Sequence, residues 1–145
     1  MIDIAAALAA EGEFIHEVVP LPELDEGEKK AVVHVWELNI EQRAAYRANG
    51  LAKTGTKNKD GVEEVKYDDT RDSLSLVVEA TKYPDGRKVF PDGAASIETL
   101  LKAKGRWEPI VSKLLAAAIR VNFLSVAAKV TARKNSKATP NSGTS

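Results

Sequence analysis

A long apolar stripe near the C-terminal end of the chain constrains the fold more than any other feature. Within residues 106–135, large apolar side chains recur at spacings of three and four, which places them on one broad face of an α-helix. Such a face must be covered by the rest of the chain. The stripe comprises Trp107, Ile110, Val111, Leu114, Leu115, Ala118, Val121 and Leu124.

The two ends of this helix are marked unequally. Gly105 separates it from the preceding segment, and Pro109 suits a first turn because it lacks a backbone N–H. At the other end, Asn122 can adopt a left-handed conformation and Ser125 can cap a new helix. We therefore expect a bend over residues 122–125, followed by a second helix that extends to about Lys134.

The chain has the size and composition of one globular domain. It contains 145 residues, of which 43% are hydrophobic and 29% are charged, and it has no cysteine. The start MIDIAAALAA carries Asp3 and no basic residue, so it predicts an amphipathic helix and not a signal peptide. We predict a single α+β, predominantly helical domain over residues 1–135 and a disordered polar tail over residues 136–145.

The zero net charge conceals a strong asymmetry along the chain. Residues 1–100 contain 12 Lys and Arg against 20 Asp and Glu, a net charge of −8. Residues 101–145 contain 9 Lys and Arg against one Glu, a net charge of +8. The basic helices either pack beside the acidic part or simply carry solvated Lys and Arg, or they steer an acidic partner or a second copy of the chain.

The N-terminal half predicts a β-hairpin followed by a helix. Apolar and β-branched residues on both sides of the polar stretch at Gly27 predict two antiparallel strands within residues 13–38. Pro20 and Pro22 place the first strand at an edge of the sheet, because proline has no N–H to donate. An isolated hairpin is marginal in water, so we expect it to pack on helices. Asn39 and Gln42 form a capping box for the next helix, which ends near Gly50.

The middle of the chain is less regular. Residues 52–69 are rich in Gly, Thr, Asn, Lys and Asp, which predicts a mobile surface loop. Residues 72–83 fit either a helix or a strand, and we favour a helix that is capped by Asp72 and stopped by the Pro84 turn. Ser96 is expected to cap a short helix over residues 97–104.

The sequence predicts no catalytic site, no cofactor and no metal. His16 and His34 lie on facing strands and can approach each other, but they lack the further ligands that a zinc site requires. No carboxylate pair and no serine stands in a catalytic pattern. We interpret Trp107 and Phe123 as core residues and not as ligand-stacking platforms.

The order of these motifs resembles the tail assembly chaperones of long-tailed bacteriophages (siphoviruses). The segments that carry the resemblance are VHVWELNIEQRAAYRA, YPDGRKVFPDG, WEPIVSKLLAAAIRVNFLS and KNSKATPNS. The resemblance implies a chaperone that binds the tape measure protein, keeps it soluble in the host cytoplasm and promotes polymerisation of the tail tube. It also implies that the protein is absent from the mature virion.

Apolar residues beyond one stripe near the end of the long helix predict the surface that contacts the partner. We expect contacts from Ile119, Phe123 and Leu124, with steering by Arg120 and Lys129. Self-association through the same apolar surface is compatible with this role. No membrane is expected as a partner. Two other functions remain open: a structural tail or neck component, and a nucleic-acid-binding regulator that uses the basic C-terminal helices.

The resemblance also implies a longer form of the protein that recruits tail tube protein. In the family, programmed ribosomal frameshifting near the end of the gene adds a second domain. The codons for Arg133, Lys134 and Asn135 can form a slippery A-rich heptamer, and the polar tail after Asn135 is dispensable for the fold. We therefore place the expected frameshift at these codons.

Overall fold

A computed structural model describes residues 1–9 and 14–123, without the side chains of residues 52–54. The second helix expected up to Lys134, the tail at 136–145 and the frameshift codons lie outside the described residues. The elements follow in chain order: α1 Ile4–Ala9, β1 His16–Pro20, a 3₁₀ turn Pro22–Leu24, β2 Val32–Trp36, α2 Ile40–Asn49, β3 Leu51–Lys57, β4 Glu63–Tyr67, α3 Asp69–Ala80, β5 Thr81–Lys82, α4 Ala94–Leu101 and α5 Trp107–Asn122.

The main sheet has three antiparallel strands in the order β1-β2-β5. The predicted hairpin is confirmed, with His16 opposite Trp36 and Pro20 opposite Val32. Gly27 lies in its turn with φ of 60°, a conformation that glycine adopts without a steric penalty. The proline-containing strand β1 is at the edge of the sheet, as expected. The predicted α+β class is confirmed by the mixture of helices and antiparallel sheets.

Strand alternation gives the main sheet two chemically different faces. The inner face, with Val19, Val33, Val35 and Thr81, is buried against the helices. The outer sheet face retains partial solvent exposure. Its residues, which share one side because they lie opposite or two apart in the ladder, are His16, Val18, Pro20, Val32, His34, Trp36 and Lys82.

Helix α5 is the main cover of the inner face and packs against β1, β2 and α3. Most of the stripe predicted from the sequence is confirmed as core: Ile110, Leu114, Ala118 and Val121 are buried, together with Ala117. The bulkier residues at the edges of the stripe are partly buried against the same core, namely Trp107, Val111 and Leu115. Helix α4 packs separately on α3 through Ile97, Leu74 and Val78.

Helix α2 begins with the predicted capping box. The Asn39 side chain accepts a hydrogen bond from the Gln42 backbone N–H (2.8 Å), and the Gln42 side chain accepts one from the Asn39 N–H (3.0 Å). Helix α2 is joined to α3 because the Tyr46 hydroxyl donates to Asp72 (2.9 Å). Burial, and then this hydrogen bond, raise the pKa of Tyr46 to about 12.

Two helices, α3 and α4, have boundaries that differ from the sequence prediction. Helix α3 is confirmed as a helix, but its cap is Asp68, whose side chain accepts from the Arg71 N–H (3.0 Å), because Asp72 is bonded to Tyr46. It also ends at Ala80 and continues directly as β5, so Pro84 does not stop it. The prediction that Ser96 caps a helix over residues 97–104 is wrong.

Helix α4 begins at Ala94, with Gly93 at the cap position. Ser96 lies inside this helix, and its hydroxyl accepts from the Asp92 N–H (3.1 Å). The helix is therefore shifted toward the N-terminus by about one turn relative to the sequence prediction.

The segment 52–69, predicted as a mobile surface loop, contains most of the β3–β4 hairpin and the beginning of α3. The hairpin turn is organised by the Asn58 side chain, which accepts from the N–H groups of Asp60 (2.9 Å) and Val62 (3.1 Å). Gly55, with φ of 77°, lies where the register of the two strands shifts. Local turn chemistry thus orders a polar segment that lacks an apolar period. Its strand β4 is exposed along its whole length, as a surface segment should be.

The long helix generates the first stability prediction. Leu114 is 2% exposed at the centre of α5, and replacing it by Ala leaves a cavity beneath the sheet. We expect Leu114→Ala to lower the free energy of unfolding by about 2 to 5 kcal/mol in a denaturant titration.

Ile119 on the same helix is the matched control, because its side chain is 46% exposed. Ile119→Ala should lower the free energy of unfolding by less than about 1 kcal/mol. Equal losses for the two variants would show that the buried face of α5 has been assigned wrongly.

Candidate functional site

The described part of α5 ends in a buried polar anchor. Asn122 is 3% exposed, and its side-chain oxygen accepts a hydrogen bond from the Leu38 backbone N–H (2.8 Å). Its amide group donates to the carbonyl oxygens of Ala118 (2.9 Å) and Trp36 (3.2 Å). One side chain therefore joins the end of α5 to the segment between β2 and α2.

The sequence predicted a bend over residues 122–125 in which Asn122 can be left-handed. Helix α5 does end at Asn122, but the left-handed conformation is wrong, and residues 124 and 125 lie outside the described residues. Asn122 is the last residue of α5, and no residue other than glycine in the described part of the chain has positive φ. A left-handed turn would point the amide away from Leu38, whereas the helical conformation lets it complete three hydrogen bonds in the interior. Because buried polar groups need partners, this geometry fixes where the helix ends.

Arg43 of α2 completes the anchor from the outside. Its guanidinium donates to the Asn122 carbonyl oxygen (3.0 Å), one of the carbonyls that a helix end leaves without a partner. The same guanidinium lies over the ring of Phe123, 5.6 Å from the ring centroid. Arg43 therefore holds the residue that follows α5 in a defined position.

Three exposed apolar side chains lie in or next to the two helices that this anchor joins. Ile119 and Phe123 are one helical turn apart at the end of α5 and are 46% and 52% exposed. Ile40, which is 88% exposed, lies in the sequence between Leu38 and Arg43, the two residues that bond Asn122. We call Ile40, Ile119 and Phe123 the α5 end patch. Their exposure is the property that a protein-binding surface requires.

The residues predicted to contact a partner have different positions. Ile119 and Phe123 are both exposed, so the interpretation of Phe123 as a core residue is wrong. Trp107, interpreted in the same way, is partly buried against the core. Leu124 and Lys129 lie outside the described residues.

Arg120 is engaged within the chain. Its guanidinium donates to both oxygens of Glu17 on β1 (2.6 and 3.0 Å), and these hydrogen bonds raise its pKa further. Lys113 is similarly paired with Glu23. Both basic side chains of α5 are therefore neutralised by carboxylates of the acidic half, which reduces the charge available for steering a partner or binding phosphates.

Two members of this site were missed by sequence reasoning. Ile40 and Arg43 were not singled out from the sequence, because nothing local indicates that Arg43 contacts the end of α5 or that Ile40, one turn before Arg43, stays exposed. The sequence did contain one signal. Asn122 lies four residues after Ala118, on the apolar face of the helix, and a polar residue buried there needs a hydrogen-bond partner from another element.

The two histidines meet on the outer sheet face, as the hairpin pairing predicted. The His16 ring stacks between those of His34 (centroids 4.9 Å apart) and Trp36 (4.3 Å). Burial lowers the pKa of His34. Across the described residues, no group of three or more His, Asp and Glu side chains has the arrangement of a metal site.

Comparisons of the chain with protein-family models, curated proteins and solved structures find no match. Among the helices of residues 1–9 and 14–123, none combines the length and apolar character needed to cross a bilayer.

The anchor generates a second prediction. Asn122→Ala removes the partners of the Leu38 N–H and the Trp36 carbonyl, so we expect a loss of about 2 to 4 kcal/mol in unfolding free energy. Asn122→Asp should be at least as damaging at neutral pH, because a carboxylate cannot donate to Trp36 and carries a buried charge.

Ser112→Ala is the control for both variants, since Ser112 is an exposed polar residue of the same helix. It should change the unfolding free energy by no more than about 0.5 kcal/mol. An Asn122→Ala protein as stable as this control would show that the anchor does not hold α5 in place.

Proposed function

We propose that this chain is a tail assembly chaperone of long-tailed bacteriophages that acts by binding and not by catalysis. Its partner is the tape measure protein, which it keeps soluble in the host cytoplasm while tail tube subunits polymerise around that protein. It is then absent from the finished virion. The order of sequence motifs supports this assignment. The single structural observation that supports it best is the α5 end patch.

The α5 end patch has the features of a surface that receives an amphipathic helix. Such helices bind through apolar anchors spaced by three and four residues, which enter a complementary apolar surface. Ile119 and Phe123 have this spacing themselves, and Ile40 extends the surface onto α2. Because Asn122 and Arg43 hold the end of α5 in place, less conformational entropy is lost on binding.

The internal ion pairs change one part of the expected mechanism. Arg120 was expected to steer the partner, but its guanidinium forms an ion pair with Glu17. The proposed contact therefore depends mainly on apolar burial and is only weakly sensitive to salt. Recruitment of tail tube protein is assigned to a longer, frameshifted form of the chain, whose second domain is joined after the chaperone domain.

Co-expression with the tape measure protein tests the proposal. The parent chain should raise the soluble yield of the tape measure protein. Phe123→Asp should abolish most of that gain, because a carboxylate in the centre of an apolar contact costs at least about tenfold in affinity. The measurement is the amount of tape measure protein in the cleared lysate and in complex with the chain.

Leu101→Asp is the matched control. Leu101 is another exposed apolar residue at the end of a helix, α4, and receives the same change in charge. Circular dichroism and the unfolding midpoint of both variants show whether they retain the fold. If a folded Phe123→Asp protein solubilises the tape measure protein as well as Leu101→Asp does, the α5 end patch is not the binding surface.

A structural tail or neck component is the alternative that this test does not separate. Mass spectrometry of purified virions does so, because the proposal requires the chain to be missing from the particle.

A further inference from the structure

Two surfaces with apolar side chains are exposed or partly exposed in the described part of the chain. The first is α1, none of whose residues is buried and whose side chains Ile4 and Leu8, with the preceding Ile2, are exposed. The second is the outer sheet face, which lies opposite the side covered by α5. Covering the exposed apolar side chains of α1 and of the outer sheet face would be favourable, because it removes apolar area from water.

The outer sheet face has an apolar and aromatic centre. The stacked rings of His16, His34 and Trp36 share this face of the sheet with Val18 and Val32. The Lys82 ammonium group lies over the Trp36 ring, 5.8 Å from its centroid, and supplies a positive charge at the margin. No outward residue of these three strands is acidic.

Helix α1 has the complementary properties. It is short and aliphatic, and the Asp3 side chain caps it by accepting from the Ala6 N–H (3.0 Å). Residues 1–13 carry three acidic side chains, Asp3, Glu11 and Glu13, and no basic side chain. An aliphatic helix in an acidic segment therefore matches an aromatic sheet face with a positive margin, both in apolarity and in sign of charge.

We propose that α1 of one copy packs on the outer sheet face of a second copy, in a reciprocal exchange that forms a homodimer. The side chains of α1 are exposed in the single chain, so its own sheet does not hold them. The seven peptide steps between Ala9 and His16 span at most about 25 Å, which is enough for α1 to reach a neighbouring copy. Reciprocity doubles the buried area, because a two-fold interface uses the same contact twice.

This surface is separate from the α5 end patch. The outer sheet face lies on the side of the sheet away from α5, so the dimer leaves Ile119 and Phe123 free to bind another protein. The proposed dimer consequently does not depend on the proposed chaperone function, and the two fail independently.

Cysteine cross-linking tests the exchange directly, since the chain has no cysteine of its own. We would mix purified full-length Leu8→Cys with full-length Val18→Cys under mild oxidation and follow covalent heterodimers on non-reducing gels. Leu8→Cys mixed with Leu101→Cys, which places the second thiol on exposed α4, is the control. The first mixture should cross-link at least about tenfold faster, because docking raises the effective thiol concentration.

A second experiment distinguishes exchange between copies from folding back within one chain. In the double variant Leu8→Cys, Val18→Cys, exchange gives disulfide-linked dimers, and folding back gives an oxidised monomer. If Val18→Cys does not fold, Lys82→Cys replaces it, because Lys82 is half-exposed at the margin of the same face.

Sedimentation velocity of the parent over about 5 to 500 µM should show a monomer–dimer equilibrium that Ile4→Asp, Leu8→Asp shifts at least about tenfold toward monomer. Cross-linking equal to the control, oxidised monomer alone, or a parent that is monomeric throughout this range would each overturn the proposal.

Discussion

The position of α5 depends on one buried amide. Asn122 supplies an acceptor for Leu38 and donors for Trp36 and Ala118, and it thereby connects the last turn of α5 to residues more than eighty positions earlier. The apolar stripe of α5 determines which face turns inward, but apolar burial is not directional. Hydrogen bonds are directional, so the Asn122 amide determines how far along the sheet the helix lies. That position in turn places Ile119 and Phe123 at the surface beside α2.

Part of the charge separation along the chain is neutralised by ion pairs within the fold. Arg120 and Lys113 of α5 pair with Glu17 on β1 and Glu23 in the 3₁₀ turn. These pairs are partly exposed, so each adds little to stability. These ion pairs add directional interactions to the apolar interface between α5 and the β1–β2 hairpin. They therefore favour one arrangement of the helix on the hairpin. The basic side chains of α5 therefore stabilise contacts within the chain, and less of their charge is available for binding a partner.

Sequence reasoning succeeded where the signal is periodic or local. The stripe on α5, the hairpin with Pro20 at the edge and the capping box at Asn39 all follow from spacing or from neighbouring residues, and the structure has each of them. The approach of His16 and His34 followed from strand pairing alone. These features need no knowledge of distant contacts.

The misses have equally physical causes. Asn122 ends α5 as its local propensity suggests, but its hydrogen bonds with Leu38 and Trp36 hold it in a helical and not a left-handed conformation. The β3–β4 hairpin lacks apolar alternation, so its signal lay in the Asn58 turn and not in a strand pattern. Arg43 joins the candidate site through tertiary contacts with Asn122 and Phe123, which single-sequence patterns do not encode.

The central claim is that the anchored end of α5 and the start of α2 together receive an elongated helical partner. Hydrogen–deuterium exchange of the chain, alone and saturated with the tape measure protein, tests it most directly. The account predicts slower amide exchange on binding in peptides that cover residues 38–47 and 115–123, with little change in the β3–β4 hairpin. A saturated complex in which both peptides exchange as in the free chain, while other regions become protected, would contradict it.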